Sequence, residues 1–119
     1  DCGTALNPAL AEGQVKGATL QALGTALFEE LKFSETGKPI NASLFRYKIL
    51  DRSSFGKVTA LLAESYEPTG PFGAKSVSEI GINTPTVALL NAVYHATGIR
   101  FHRLPLAPQT VFNALKGKA

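Results

Sequence analysis

Polar and apolar positions along the first third of the chain recur with a helical period. Asn7 followed by Pro8 predicts a helix start, because asparagine caps through its side chain and proline loses nothing at the first helical position. At 100° per residue, Leu10, Gly13, Gly17, Leu20, Gly24, Leu27 and Leu31 fall on one narrow stripe, so the helix is expected to reach about Leu31. A glycine inside a helix costs roughly 1 kcal/mol against alanine. Gly13, Gly17 and Gly24 on one stripe therefore predict that another backbone packs closely there. Glu12 and Lys16, on the opposite side at i,i+4 spacing, mark the solvated face. Gln14 and Gln21 stand one above the other at the edge of the stripe.

Beyond this helix the period changes. The Thr36-Gly37 pair in "FSETGKPI" predicts a turn closing a hairpin. "NASLFRYKIL" has no clear period and reads as irregular with a short extended part. In "KVTALLAE", residues 57–64, Val58, Ala60 and Leu62 alternate with Thr59, Leu61 and Ala63, the pattern of a strand. A loop rich in glycine and proline follows, "GPFGAKSVSEIGINTP". Thr84-Pro85 then opens a second helix expected to end at Gly98, "IRFHRLP" reads as a short strand, and Pro108 starts a last helix through about Lys116. The order α-β-β-α-β-α predicts an α+β (mixed α/β) unit.

Composition narrows the classes of function. A chain of 119 residues with 45% hydrophobic content is one domain's worth with material for a core. The net charge of +3 is scattered, without the basic stripe and interleaved aromatics of a nucleic-acid groove. Apolar runs are too short and too broken for a membrane span, and the start lacks a signal-peptide pattern. Cys2 is the only cysteine, which excludes an intrachain disulfide and favours a reducing, cytoplasmic setting. "DCGTALNP" begins without methionine, in small and turn-forming residues rather than a dispensable polar tail. Residues 1–119 are accordingly expected to be a single partial domain, the C-terminal portion of something larger.

The chemistry concentrates in the loop. There is no phosphate-binding P-loop, no Gly-x-Gly-x-x-Gly and no Gly-x-Ser-x-Gly elbow. His95 and His102 straddle the helix end at Gly98 without a Cys or Asp at ligand spacing, so no protein-ligated metal is expected and both read as structural. Glu79 is a carboxylate in a segment of small and apolar residues. It fits a general base, with burial raising its pKa and Lys75 opposing the rise, or else a residue that merely pairs with Lys75 or caps the next helix. Ser76, Ser78 and the loop N–H groups offer hydrogen bonds to a polar ligand, and the helix start at Thr84 adds anion affinity. Gln14, flanked by Gly13 and Gly17, fits recognition of a heterocycle through one donor and one acceptor, or else a solvated helix residue.

Four ordered segments alter this balance. "DCGTALNPALAEGQVKGATLQALGTALFEEL", "YKI", "GPFGAKSVSEIG" and "NAVYHATGIRFHRLPLAPQTVFNAL" together resemble the C-terminal end of the molybdenum-cofactor-binding subunit of the xanthine dehydrogenase and aldehyde oxidase family. The resemblance covers essentially the whole chain. It implies a molybdenum held by a pterin dithiolene, possessed of oxo, sulfido and hydroxide ligands and lacking any ligand from the protein. By position, Glu79 would be the base that takes the hydroxide proton while the oxygen attacks an electron-poor carbon and hydride leaves it. Gln14, in "EGQVKG", matches the family glutamine that contacts the pterin, and Lys75, Ser76, Val77 and Ser78 match the loop lining the cofactor.

The resemblance further implies [2Fe-2S] clusters and FAD on partner domains or subunits, and a pterin that in some members is a dinucleotide. Where the common pattern is Gly-Val-Gly-Glu, this chain has Ser76-Val77-Ser78-Glu79. The added Cβ and hydroxyl of Ser78 fit a smaller substrate or one that hydrogen-bonds Ser78. The resemblance, which extends to serine variants among hydroxylases of N-heterocycles, implies a purine- or nicotinate-like substrate over an aldehyde. Alone, the chain lacks the upstream segments of such a site and is expected to be inactive without the remainder of the domain. Two other readings remain open at this level: a truncated, non-catalytic paralogue that docks a partner through the glycine stripe, and a small-molecule binder without redox chemistry.

Overall fold

The structure, a computed structural model, describes residues 1–54 and 56–117. Asn7 Oδ1 accepts the N–H of Leu10 at 3.1 Å, and Pro8 occupies the first turn, so helix α1 spans Pro8–Leu27. It stops short of Leu31 because the following residues have stronger partners elsewhere. Asn41 brackets them, its Oδ1 accepting from Lys32 N–H and its Nδ2 donating to the Glu30 carbonyl, both at 2.7 Å. The Tyr47 hydroxyl donates to the Glu29 carboxylate at 3.2 Å. Residues 30–41 instead form the expected hairpin turn. Gly37 adopts φ +79°, and Ser34 N–H and Ile40 N–H donate to the carbonyls of Lys38 and Lys32 at 2.9 Å.

Helix α2, Ile80–Asn83, was not legible as a separate element; α3 spans Pro85–Thr97 and α4 Pro108–Lys116. Gly98, at φ +66°, closes α3 through its N–H to the Tyr94 carbonyl. α1 packs against α2 and α3. Its buried face consists of alanines: Ala11, Ala18, Ala22 and Ala26 are all under a tenth exposed. Alanine lets neighbours approach closely at no cost in helix propensity. Gly81 of α2 uses that closeness, since a Cβ there would lie 2.8 Å from Ala18 Cβ. Thr86 donates to the Ala22 carbonyl at 3.3 Å, and Leu106 N–H to that of Ala26 at 2.6 Å.

The glycine stripe is therefore not the buried stripe within this chain. Gly24 alone is buried, beneath Glu29 and Leu50; Gly13 and Gly17 are exposed, and a Cβ on either would meet nothing within 4 Å. Gly17→Ala is expected to stabilise the protein by about 0.5–1 kcal/mol through helix propensity alone. Chemical denaturation of the full-length protein checks this, and a loss of stability would reveal a backbone seated on that face.

The strands predicted at 57–64 and in "IRFHRLP" are absent, and the described residues contain no strand. Antiparallel pairing is confined to two isolated bridges, Gly3 with Ala74 and Phe33 with Pro39. A strand requires a neighbour for its N–H and C=O groups, and no segment among the described residues pairs with residues 57–64. The alternation itself persists in the burial, with Val58, Ala60 and Leu62 turned inward and Thr59, Leu61 and Ala63 exposed.

The core is thin. Its buried hydrophobic residues are Cys2, Ala60, Leu106 and the four alanines of α1, whereas Leu44, Phe45, Leu61 and Phe72 are at least 80% exposed. The radius of gyration is 18.1 Å, against about 13–14 Å for a self-contained domain of this length. The accessible surface is 8705 Å², against about 6,200 Å² for a folded monomer of this mass. Among the described residues no helix is long and apolar enough to cross a membrane.

Candidate functional site

The "GPFG" stretch folds into a closed turn. Gly73 N–H donates to the Gly70 carbonyl at 3.1 Å and Ala74 N–H to that of Pro71 at 3.0 Å. Phe72 and Gly73 take positive φ values of 56° and 77°. The Gly73 carbonyl accepts from Thr4 N–H at 2.8 Å and Glu67 N–H at 3.0 Å, and Lys75 N–H donates to the Cys2 carbonyl at 2.8 Å. The loop is thereby laced to residues 2–4, which lead directly into the Asn7 cap of α1.

Two turns along α1, Gln14 meets the same loop again. Its Nε2 donates to the Ser78 carbonyl at 3.1 Å, joining positions 64 residues apart. Between these two attachments lies an open concavity of about 370 Å³, lined among others by Asn7, Leu10, Gln14, Lys75, Val77 and Ser78. That volume is within the range of small-molecule sites. A larger groove of about 550 Å³ runs along residues 60–65 and contains none of the expected site residues. It follows the segment that lacks a strand partner, and the smaller concavity is the candidate site.

The structure brings Gln14, Lys75, Val77 and Ser78 together; Ser76 and Glu79 are exposed and lie outside the lining. Ser78 is accommodated without a positive φ, so the residue in place of the usual glycine is unstrained. Glu79 departs from the expectation of a desolvated base opposed by Lys75. It precedes α2 and makes no side-chain cap bond there, and Lys75 pairs instead with Asp1, Nζ to Oδ2 at 2.7 Å. The alternatives of a Lys75–Glu79 pair or a cap on α3 are not realised either. Glu79 keeps a carboxylate without an ion-pair or hydrogen-bond partner among the described residues.

Sequence reasoning missed the residues around Lys75. The Asp1 carboxylate also accepts from Gly3 N–H at 2.9 Å and from the Ser65 hydroxyl at 2.5 Å. Glu67 is held below the usual carboxylate range, chiefly by the Thr69 hydroxyl and N–H, with the Lys75 charge adding to the effect. The only signal in the sequence was the turn-forming "DCG" opening. His95 lies in the last turn of α3, and both histidines are exposed. Among the described residues no three His, Cys, Asp or Glu side chains converge as a metal site.

The donors present fit a flat, polar heterocycle. Gln14 retains a second N–H and its carbonyl oxygen after its bond to Ser78. Gly13 and Gly17 leave bare backbone beside it, where no side chain blocks approach.

Residues 1–54 match the family model described as the molybdopterin cofactor-binding domain. The whole chain is similar to the probable hypoxanthine oxidase XdhD of Escherichia coli K12, 38% identical over 117 residues, covering 98% of this chain and 12% of that protein. It is 33% identical over 118 residues to the aldehyde oxidoreductase of Megalodesulfovibrio gigas, covering 98% of this chain and 12% of that one. Among solved structures, quinoline 2-oxidoreductase from Pseudomonas putida 86 superposes with a TM-score of 0.88 at 27% identity, over 98% of this chain and 15% of that one. The chain thus spans about an eighth of the length of these relatives.

Proposed function

We propose that this chain, similar over nearly its whole length to molybdenum-binding subunits of the xanthine dehydrogenase and aldehyde oxidase family, is one part of a molybdenum hydroxylase's cofactor-binding domain. The observation that carries this reading is the Gln14–Ser78 hydrogen bond, which closes the helix and the loop around one concavity. When bound, the molybdenum–pterin group supplies a two-electron oxidation of a C–H bond with water as the source of oxygen. In this reading Gln14 grips the pterin edge with its free N–H and carbonyl, while segment 75–78 lines the cofactor. Glu79 accepts a proton at its carboxylate, which has no ion-pair or hydrogen-bond partner among the described residues.

The excess surface and radius support a piece that completes its core against more protein, rather than an independent docking module. The finer α+β architecture belongs to that larger unit, in which residues 57–64 find a strand partner. Iron–sulfur and flavin domains or subunits carry the electrons away, and the lone Cys2, buried and unpaired, fits a cytoplasmic setting. An N-heterocycle is the favoured substrate. Ser78 offers a hydroxyl at the concavity, and the names of two similar proteins specify hypoxanthine and quinoline.

The test is elemental. The protein containing this chain, purified gently from its native host, is expected to carry about one molybdenum per chain, along with iron and flavin on co-purifying polypeptides or domains. A preparation without molybdenum would overturn the proposal.

A further inference from the structure

Apart from the place of Lys75 in the lining, the charged cluster beside the loop has no part in the chemistry described so far. Lys75 is the last residue of the laced turn and lies three residues before Ser78 and four before Glu79. Its backbone is fixed by the Cys2 carbonyl at 2.8 Å and its ammonium by Asp1 Oδ2 at 2.7 Å. Asp1 in turn is held on its other oxygen by Gly3 N–H at 2.9 Å and the Ser65 hydroxyl at 2.5 Å. The same N-terminal segment sets the start of α1 and hence the height of Gln14. One carboxylate therefore ties together two parts that frame the concavity, residues 1–4 and the end of the turn at Ala74 and Lys75, and anchors them to Ser65 in the neighbouring groove.

We propose that Asp1 is a positioning residue: by pinning the Lys75 ammonium it fixes segment 75–79 in register against Gln14, so that Ser78 meets the glutamine and Glu79 is presented at a constant place. The inference rests on the reading of Glu79 as proton acceptor. It assigns the Lys75 side chain to the loop's own architecture instead of to the cofactor. The pair is a structural buckle of modest strength. Its side chains are 37% and 47% exposed, so it governs the loop locally without governing the fold.

The experiment uses the full-length protein with Asp1→Asn, Asp1→Glu, Lys75→Met and the Asp1→Asn/Lys75→Met double variant. Hydrogen–deuterium exchange of peptides covering 70–79 is expected to quicken several-fold in Asp1→Asn, with the α1 peptides unchanged. Turnover falls about tenfold with molybdenum content retained. Lys75→Met matches Asp1→Asn, the double variant is no worse than either single one, and Asp1→Glu restores most of both readouts. Exchange at 70–79 unchanged in Asp1→Asn would overturn the proposal, as would additive losses in the double variant. Molybdenum lost from Lys75→Met alone would also overturn it, by returning Lys75 to the cofactor. Turnover surviving in Glu79→Gln sinks the underlying reading of the site instead, while the exchange data still decide the role of Asp1.

Discussion

Glu79→Gln in the full-length protein is expected to lower turnover by about 10²–10⁴-fold, the usual worth of a positioned general base, with molybdenum content and stability unchanged. The substitution keeps the size and shape of the side chain and removes only its ability to take a proton. Because the Glu79 side chain caps no helix and pairs with no cation among the described residues, the substitution removes no interaction seen in the folded chain. Exposure in this chain is compatible with the role. In the proposed function a cofactor and the rest of a domain lie against this segment, and a base needs an accessible carboxylate before the reacting groups arrive. Metal content by mass spectrometry and steady-state turnover on the same preparation separate the possible roles. Loss of molybdenum in Glu79→Gln would make the carboxylate structural; full turnover would remove it from the chemistry.

Helix starts were legible because they depend on residues within one turn. Asn7-Pro8, Thr84-Pro85 and Pro108 each fixed an N-terminus, and Gly98 fixed a C-terminus through its left-handed backbone. The end of α1 was not, since it depends on Asn41 and Tyr47, residues distant in sequence that claim Glu29 to Lys32 for other bonds. The glycine stripe misled for a related reason. Small residues permit close packing but do not say which of two faces is used, and the alanine face of α1 took α2 and α3. The alternation at 57–64 identified which side chains turn inward but not a pairing partner, which a strand must borrow from another segment.

At the site, the residue types were readable and their company was not. Gln14 and Ser78 were both singled out, yet nothing in the sequence states that an amide in one helix reaches a carbonyl 64 residues later. Lys75 and Glu79, four apart, invited a local ion pair; residues 75–77 adopt no helix and α2 begins only at Ile80, so helical spacing does not apply between them. Asp1, far away in sequence, gains the lysine instead because the Gly3–Ala74 bridge brings the two segments side by side.

That bridge is the basis of the second large effect. Gly3→Ala is expected to destabilise the site region by about 2–4 kcal/mol, combining a left-handed backbone cost of roughly 1 kcal/mol with overpacking of about 1–3 kcal/mol. Gly3 sits at φ +65°, and a Cβ there would lie 2.3 Å from the Gly73 carbonyl oxygen and 3.0 Å from Lys75 N. Those atoms are backbone and cannot rotate aside as a side chain would. Relief requires residues 1–4 and the 70–75 turn to part, which breaks the Thr4–Gly73 and Lys75–Cys2 hydrogen bonds together. Parting also carries Ser78 away from Gln14. The variant should therefore lose cofactor occupancy as well as stability, unlike Glu79→Gln, which loses turnover alone. Denaturant titration of the full-length protein, with molybdenum measured per chain, reads both effects. A Gly3→Ala variant with wild-type stability and metal content would mean that the close approach of residues 1–4 to the turn is not what holds the concavity in shape, and that its cofactor is held by other contacts.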